Sequence, residues 1–449
     1  MQAWQDKYRE KLISLEQAAK LVKSGETVAF PIQLHPKALG LELAKRAEEL
    51  RDVKLIAIWS EDYPWFQPAY EKSFSIKELF AGKYTRQSVR DKRVDWVPYI
   101  LGTTTDYDRQ LFTSDRSRLY CSADYFFMKI TPPNGDGICS FGHSLFYNPT
   151  AARTAKKVVA MVDPRLIWTH GDQIRVSEID HLVEAPPEEP ASVSEFIALP
   201  DPQEFEIADV IGAYCASLIN DGDTIEIGTG TTSEQTWAHL HTKNDLGVDS
   251  EIIVPQTVEL VRQGNITGKN RSESKGKVIT SCLMAYGGPE TDKALEFTND
   301  NPTFEFHDIS FQCNVPRIAR QRSMVSINAA VAVDLLGQVV IDHIGPLPIS
   351  GAGGQPEYLI GTHYSEGGRS ITTLRSVTKG GTKSCIVPQL EQGSVVSIPA
   401  FYVDYLITEN GIVNLENKTR RERAEAIISI ANPEFQEELR KAAKTLFWP

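Results

Sequence analysis

The spacing of apolar residues changes repeatedly between a helical and a strand-like period, and it does so in the same order in two places. Residues 14–30, SLEQAAKLVKSGETVAF, predict an amphipathic helix, a Ser-Gly turn and a strand. Residues 206–228, EIADVIGAYCASLINDGDTIEIG, predict the same succession with an Asp-Gly turn. In each half a second helix and a second strand follow, the strands being DVKLIAIW and GVDSEIIV. Such alternation is typical of parallel α/β units, so we predict an α/β fold with two similar open domains.

A segment rich in proline and acidic residues separates the two halves. It runs from Val183 to Gln203, VEAPPEEPASVSEFIALPDPQ, and its composition is typical of an extended linker. A chain of 449 residues also exceeds what one hydrophobic core usually supports. We therefore predict an N-terminal domain over residues 1–190 and a C-terminal domain over residues 204–449.

One charged residue interrupts the apolar pattern of the strand GVDSEIIV. Glu251 lies among Val248, Ile252 and Ile253, and an alignment of the second strands of the two halves pairs it with Ile56. A carboxylate that is buried without a partner is costly in free energy. The difference between the halves therefore makes Glu251 a candidate functional residue.

A glycine-rich loop, Gly228 to Ser233, connects the strand DTIEI to the next predicted helix. Its glycines let a ligand approach the backbone closely, and the helix N-terminus offers N–H groups to an anion. Asp249 follows at about the twenty-residue spacing of a dinucleotide-binding fold, although Ser233 stands where the third glycine belongs. On this stretch alone, a nicotinamide or flavin enzyme and a tight turn without a ligand both stay open.

Two further glycine-rich segments lie in the second half, SGAGGQPE at 350–357 and TKGGTK at 378–383. Consecutive glycine N–H groups, such as those of Gly353 and Gly354, are suited to an oxyanion hole or an anion-binding turn. Lys379 and Lys383 beside the second pair of glycines are suited to a phosphate or an adenine-ribose group. Without further support, GAGG is more readily interpreted as a structural turn.

Composition and charge narrow the choice of partners and compartment. The formal net charge of -12 argues against binding to nucleic acid or to an anionic membrane, so an anionic substrate needs a local positive site. The N-terminal residues carry charges throughout and lack the apolar region of a signal peptide, and no apolar run approaches the ~20 residues of a membrane span. The cysteines form no C-x-x-C pair, which indicates free thiols in a reducing cytoplasm. These cysteines are Cys121, Cys139, Cys215, Cys282, Cys313 and Cys385.

We predict no metal site. His239 and His241 form an H-x-H pair, but on a helix their side chains point to nearly opposite sides. His35 and His143 are interpreted as packing residues, with substrate contact as the alternative.

Several motifs in order along the chain resemble one family. SINAAVAVDLLGQVV, IGPLPISGAGGQPEYLIG and SVTKGGTKSCIVPQL resemble the C-terminal half of family I CoA-transferases, and PPNGDGICSFGHS resembles a signature of their first domain. The segment DLGVDSEIIVPQTVELVRQGNITGKNR resembles the stretch around the catalytic glutamate of one branch. That branch is the acetyl-CoA hydrolase/transferase group, which includes 4-hydroxybutyrate and butyrate:acetate CoA-transferases.

The resemblance implies two open α/β domains of the CoA-transferase type with the active site between them. It implies an acyl-CoA:carboxylate CoA-transferase in which Glu251 is the nucleophile and a glutamyl-CoA thioester forms. Gly353 and Gly354 are implied as oxyanion donors. Coenzyme A is implied as a co-substrate, with no permanently bound cofactor, at residues Gly228, Thr229, Gly230, Thr231, Thr232, Asn328, Ile349, Gly353 and Lys379. The expected partners are an acyl-CoA, a small carboxylic acid and further copies of the chain in a dimer or tetramer.

The sequence also departs from the pattern of this branch. VPQ follows Ile253 in place of Ser-Asp-Gly, Thr231-Thr232-Ser233 replaces the usual Ile-Pro, and Glu357 stands where Asp is usual. These positions are candidate walls of the acyl pocket, so the acid is left open. A thioester hydrolase stays as an alternative, because a transferase and a hydrolase both need Glu251 and the glycine loop. A CoA-binding protein without turnover is the other alternative; loss of the glutamate would have favoured it, but Glu251 is present.

Overall fold

The computed structural model describes residues 4–99, 101–103, 123–190 and 202–449. Cys121 lies outside these ranges, as do residues 191–201 of the predicted linker.

The chain divides into two compact units, and the predicted linker is not their only boundary in the sequence. The first unit contains Met1–Ile197 and Ile279–Gln312, and the second contains Ala198–Val278 and Cys313–Pro449. Residues 279–312 thus pack with the first unit although they follow the predicted linker in sequence.

The strands are numbered in chain order. They are β1 (Thr27–Ala29), β2 (Val53–Ala57), β3 (Phe74–Glu78), β4 (Val94–Trp96), β5 (Tyr125–Ile130), β6 (Ile138–Ser140), β7 (Lys157–Val162), β8 (His170–Gly171), β9 (Gln173–Arg175), β10 (His181–Glu184), β11 (Thr224–Ile227), β12 (Gly247–Asp249), β13 (Ile252–Ile253), β14 (Val278–Thr280), β15 (Cys282–Leu283), β16 (Phe304–Phe306), β17 (Met324–Ala329), β18 (Ala332–Asp334), β19 (Val339–Val340), β20 (His343–Ile344), β21 (Leu347–Pro348), β22 (Arg369–Thr373), β23 (Ile386–Val387), β24 (Tyr405–Thr408) and β25 (Gly411–Asn414).

The α-helices of the described residues range from 4 to 16 residues in length. They are Trp4–Lys11, Leu15–Leu21, Lys37–Ala44, Arg86–Arg90, Asn148–Thr154, Pro202–Ser217, Thr231–Glu234, Pro255–Gln263, Pro289–Thr298, Ile309–Gln312, Val315–Arg320, Gln355–Tyr364, Arg420–Ser429 and Pro433–Phe447.

Each unit contains a largely parallel sheet, which confirms the predicted α/β class. In the first unit the strand order is β10-β7-β5-β1-β2-β3-β4, and all neighbours are parallel. In the second unit the strands β25-β24-β22-β17-β11-β12 are consecutive neighbours, and only the β24–β25 pair is antiparallel. Parallel strands need crossover connections, which the intervening helices supply.

The repeated start of the two halves is present in the structure. Ser14 caps the helix Leu15–Leu21 by accepting a hydrogen bond from the N–H of Gln17, and β1 follows after Gly25. In the second unit the helix Pro202–Ser217 leads through Gly222 to β11. Both glycines have positive φ, +83° and +81°, a backbone conformation that is costly for residues with a side chain. The Ser-Gly and Asp-Gly turns predicted from the sequence are therefore confirmed.

The prediction of one continuous strand over GVDSEIIV is wrong. β12 ends at Asp249, and Ser250 and Glu251 form a bend before the short β13. The hydroxyl of Ser250 donates to the carbonyl oxygen of Ile252 at 2.7 Å and so stabilises this bend. Glu251 therefore lies past the carboxyl end of a strand, whereas Ile56 lies inside β2, and the two positions are not structurally equivalent.

Candidate active site

Three neighbouring parallel strands of the second unit carry the candidate side chains at their carboxyl ends. β11 lies between β12 and β17. Glu226 is in β11, Glu251 follows β12 by two residues, and Asn328 is in β17. The carboxyl edge of an open parallel sheet is where ligands usually bind.

Glu251 is held by the glycine loop that the sequence indicated. The N–H of Gly354 donates to Oε2 of Glu251 at 2.9 Å, and Gly354 is the cap residue of the helix Gln355–Tyr364. The Glu251 side chain is partly buried. Desolvation raises its pKa to about 7, and the hydrogen bond from Gly354 acts in the opposite direction. Glu251 is thus a carboxyl group whose pKa is near neutral and whose position is fixed by a backbone N–H donor.

The two glycines of this loop are needed for different reasons. A Cβ atom on Gly354 would lie 2.5 Å from Oε2 of Glu251 and 2.6 Å from Sγ of Cys313, so only glycine lets the backbone approach the carboxylate. Gly353 has open space around its Cβ position, but its φ of +62° is in the left-handed region. Gly354 therefore provides the close approach and Gly353 the turn.

The predicted CoA-binding loop, Gly228 to Thr232, lies against the end of β17. A Cβ atom on Gly228 would be 2.0 Å from Oδ1 of Asn328, and one on Gly230 would be 2.7 Å from Cβ of Ala329. The hydroxyls of Thr232 and Thr373 are 2.9 Å apart. The structure therefore brings this loop together with Asn328.

The other predicted CoA-binding residues are Lys379 and Ile349, and each makes contacts outside the loop Gly228 to Thr232. Lys379 is exposed, and its Nζ lies 3.2 Å from Oε2 of Glu204. Ile349 is partly buried, and its N–H donates to the carbonyl oxygen of Asp342 at 2.8 Å. Their assignment to the CoA site stays a prediction.

Sequence reasoning missed Glu226. Its side chain is 3% exposed, and Oε2 accepts hydrogen bonds from Oγ of Ser326 at 2.7 Å and from Nδ2 of Asn328 at 2.8 Å. Desolvation raises its pKa to about 8, the two hydrogen bonds lower it, and the charge of Glu251 raises it. The signal was available, because TIEI places a carboxylate in an apolar strand, the same feature that pointed to Glu251.

Asp249 does not fit the role of an acid that binds a ribose. Its side chain is fully buried, and its carboxylate pairs with the guanidinium groups of Arg271 and Arg317 at 2.8 and 2.6 Å. Burial raises the pKa of Asp249, but the two guanidiniums outweigh this and hold it below its usual range. The dinucleotide-like spacing therefore corresponds to a buried ion-pair cluster, and the nicotinamide or flavin alternative loses its acidic residue.

A thiol also lies beside Glu251. Cys313 is buried, and its pKa is raised well above its usual range by desolvation first and then by the charges of Glu251, Glu357 and Glu226. The thiol therefore stays protonated and is a poor nucleophile. The five described cysteines, Cys139, Cys215, Cys282, Cys313 and Cys385, are all free, as predicted.

The histidines noted in the sequence lie near aromatic rings, a small cavity or a carboxylate. His35 is 1% exposed, stacks on the ring of Phe30, and has its pKa lowered to about 3, chiefly by desolvation. His143 is buried and lines a cavity of about 130 Å³ in the first unit with Arg165 and Asp163. His239 Nε2 lies 2.9 Å from Oδ1 of Asp209. Within the described ranges, no cluster of side chains is suited to hold a metal ion.

Comparison with known proteins identifies the class. The acetyl-CoA hydrolase/transferase N-terminal domain matches residues 1–195, and the C-terminal domain of the same family matches residues 291–443. The chain belongs to this family, as its motifs predicted. It is an enzyme of the CoA-transferase class.

Particular relatives agree with this class. A 4-hydroxybutyrate coenzyme A transferase from Clostridium kluyveri is 34% identical over 99% of this chain and 100% of its own length. A succinyl-CoA:cyclohexane-1-carboxylate CoA transferase from Geobacter metallireducens is 31% identical over 99% of this chain and 97% of its own length.

Solved structures show the same fold. The crystal structure of RipA from Yersinia pestis covers all of both chains at 25% identity with a TM-score of 0.86. A 4-hydroxybutyrate CoA-transferase from Porphyromonas gingivalis covers 99% of this chain and 100% of its own at 27% identity, with a TM-score of 0.77. These likenesses confirm the prediction of two α/β domains. None of the helices in the described part of the chain is both long and apolar enough to span a membrane.

Proposed function

We propose that the protein moves CoA between an acyl-CoA and a small free carboxylic acid through a glutamyl-CoA thioester on Glu251. One observation carries this proposal: the Glu251 carboxylate is partly buried at the carboxyl edge of the sheet and accepts a hydrogen bond from the Gly354 N–H at 2.9 Å. A nucleophile of this kind must be partly desolvated and held in place, and both conditions are met here.

In the first half-reaction the Glu251 carboxylate attacks the thioester carbonyl. The C–S bond breaks, CoA leaves as a thiolate, and a mixed anhydride between the acyl group and Glu251 remains. The thiolate then attacks the glutamyl carbonyl of the anhydride, which releases the acyl group as a free carboxylate and leaves CoA joined to Glu251 as a thioester. A second carboxylate repeats these steps in reverse, so atoms and charge balance over the cycle without a further reactant.

The Gly354 N–H is suited to the step on the glutamyl carbonyl. It binds Oε2 of Glu251 before reaction. If Oε2 becomes the carbonyl oxygen of the anhydride, the same donor faces the oxyanion that forms when the thiolate attacks. An oxyanion donor is worth about 3 kcal/mol in this setting. Gly353 is proposed to supply a second donor through the left-handed turn it makes.

CoA is proposed to bind along the loop Gly228 to Thr232, with Asn328, Ile349, Gly353 and Lys379 as further contacts and no resident cofactor. The contact of that loop with Asn328 supports this arrangement. The named relatives act on 4-hydroxybutyrate and cyclohexane-1-carboxylate, so a small monocarboxylic acid is the first acceptor class to test. We further propose that the protein is cytoplasmic, since the five described cysteines are buried free thiols. A homo-oligomer is proposed from the resemblance of the motifs to this family alone.

The test is an exchange assay with acetyl-CoA and succinyl-CoA as donors and a panel of short, branched, hydroxylated, cyclic and dicarboxylic acids. We expect formation of a new acyl-CoA that depends on the acid, with no free thiol released. Thiol release without an acid would favour a hydrolase instead. The absence of both products across the panel would contradict the proposed reaction and favour a CoA-binding protein.

A further inference from the structure

We propose that Glu226 is a positioning residue for this reaction: as a neutral carboxylic acid, it fixes the Asn328 carboxamide and leaves the negative charge of the site to Glu251. The inference rests on the proposed function and adds a second carboxyl group to it. The argument begins with the place of Glu226 in the sheet.

Glu226 lies in β11, the strand between β12 and β17. It is opposite Ser326 in the register of β11 and β17, and Asn328 lies two residues further along the same face of β17. Glu251 follows the other neighbouring strand, β12. The carboxyl group of Glu226 therefore sits between Asn328 on one side and Glu251 on the other.

The hydrogen bonds around Glu226 fix the Asn328 carboxamide. Nδ2 of Asn328 donates to Oε2 of Glu226 at 2.8 Å and to Oγ of Ser326 at 3.0 Å, which uses both of its hydrogens. Oδ1 of Asn328 then faces Gly228, the first residue of the proposed CoA loop. Without an acceptor at position 226, the carboxamide can rotate, and its orientation toward that loop is lost.

The charges around Glu226 favour the neutral acid. Glu226 is 3% exposed, whereas Glu251 is only partly buried, so ionisation is more costly at Glu226. Burial raises the pKa of Glu226 to about 8, and the charge of Glu251 acts in the same direction, although the hydrogen bonds from Ser326 and Asn328 lower it. The thiol of Cys313 and the hydroxyl of Tyr358 also interact with Glu226, and the pKa of each is raised well above its usual range, so both stay neutral.

This arrangement has a consequence for turnover. Near neutral pH the pair titrates as a unit and holds one proton. The deeper burial of Glu226 favours the proton on Glu226 and the negative charge on Glu251. Above the pKa of Glu226 a second negative charge appears beside the site. The oxyanions and the thiolate of the proposed reaction are then disfavoured, so turnover falls as the pH rises through about 8.

The experiment compares the wild-type enzyme with Glu226→Gln and Glu226→Leu, and it measures CoA exchange as a function of pH. Glu226→Gln keeps an acceptor for Ser326 and Asn328 but has no titratable proton, so we expect substantial turnover and no alkaline decline. Glu226→Leu removes the acceptor, so we expect about 10²-fold lower turnover and a higher KM for acyl-CoA. A purely structural role would leave the pH profiles of all folded variants alike.

Infrared spectroscopy gives a second readout that needs no activity. Because the pKa of Glu251 is also near neutral, the comparison is made in the Glu251→Gln background. The spectrum of Glu251→Gln minus that of Glu251→Gln with Glu226→Gln at pH 7 should show a carboxylic-acid carbonyl band that is lost at alkaline pH. An alkaline decline that persists in Glu226→Gln, or the absence of this band, would overturn the proposal. If acyl-CoA labels Glu251 in the wild type and the pH profile of Glu226→Gln is unchanged, only the role of Glu226 fails. If no label forms in the wild type, the proposed function itself fails.

Discussion

At the scale of single residues, the site is defined by how closely backbone and side chain approach each other. Gly354 donates to Glu251 from a position where a methyl group would overlap the carboxylate. The sequence indicated Glu251 and this loop because a carboxylate in an apolar segment and a run of glycines are both conspicuous. It did not reveal their contact, which joins residues 103 positions apart in the chain.

Gly354→Ala tests this contact. The added methyl group would lie 2.5 Å from Oε2 of Glu251, so the carboxylate or the loop must shift and the N–H donor is displaced. We expect exchange turnover to fall by about 10²-fold or more with little change in melting temperature.

Gly353→Ala is the comparison within the same loop. Its methyl group meets nothing within 4 Å, and its cost comes from the φ of +62°, about 1–2 kcal/mol of backbone strain. We expect a smaller loss of turnover and a larger loss of stability than in Gly354→Ala. Near-normal turnover in a folded Gly354→Ala enzyme would refute the donor role.

At the scale of elements, the end of β12 is anchored by a buried ion-pair cluster just before Glu251. The carboxylate of Asp249 binds the guanidinium groups of Arg271 and Arg317, and the amide of Gln321 donates to it at 3.2 Å. This cluster fixes the residue two positions before Glu251. It could not be predicted from the sequence, because its members are 22, 68 and 72 residues from Asp249 and no local pattern connects them.

Asp249→Asn should destabilise the fold strongly. It leaves the guanidiniums of Arg271 and Arg317, 1% and 4% exposed, close together without their counter-charge. Loss of one partner from a buried ion pair costs about 3–5 kcal/mol in the free energy of unfolding. Urea denaturation would measure this loss.

Arg317→Met serves as the comparison for Asp249→Asn. It leaves a neutral pair of Asp249 and Arg271, so we expect a smaller destabilisation. Equal stability of the wild type and Asp249→Asn would mean that the cluster does not anchor β12.

The elements themselves were largely predictable. The spacing of apolar residues and the turn residues predicted several elements in the right places. These are the helix that begins at Leu15, the turns at Gly25 and Gly222, and the strands that follow the two turns. The break of GVDSEIIV after Asp249 was missed because Val and Ile flank it on both sides. Its cause is a side chain-to-backbone hydrogen bond at Ser250, which hydrophobic periodicity does not reveal.

At the scale of the whole molecule, the duplicated α/β plan was predictable but the membership of the units was not. Composition marks a linker near residue 190, yet residues 279–312 pack with the first unit because of tertiary contacts that the chain order does not show. The formal net charge of -12 repels an anionic substrate such as CoA, so cationic side chains at the binding site must offset this repulsion.

Lys379→Ala tests whether one local cation contributes. We expect a higher KM for acyl-CoA and a nearly unchanged KM for the acceptor acid, since a contact made to CoA alone is lost. In this structure the exposed Lys379 Nζ lies 3.2 Å from Oε2 of Glu204, a half-buried carboxylate that also pairs with Arg375 at 2.9 Å. A contact of Lys379 with CoA would compete with this pair.

Lys441→Ala is the control for overall charge. Lys441 is exposed in the C-terminal helix, and its replacement changes the net charge by the same amount as Lys379→Ala. An equal rise in KM for acyl-CoA in both variants would indicate long-range electrostatics rather than a contact at Lys379.

The most direct measurement of the central claim is the mass of the peptide that contains Glu251 after exposure of the enzyme to acyl-CoA. The account predicts a glutamyl thioester that borohydride reduces or hydroxylamine cleaves, which leaves a mass change at Glu251 only when acyl-CoA is present. Glu251→Gln should fold and bind CoA but show neither the mass change nor exchange, because a neutral amide cannot form the anhydride. A label that depends on acyl-CoA but lies on another residue, or substantial exchange by Glu251→Gln, would contradict the account.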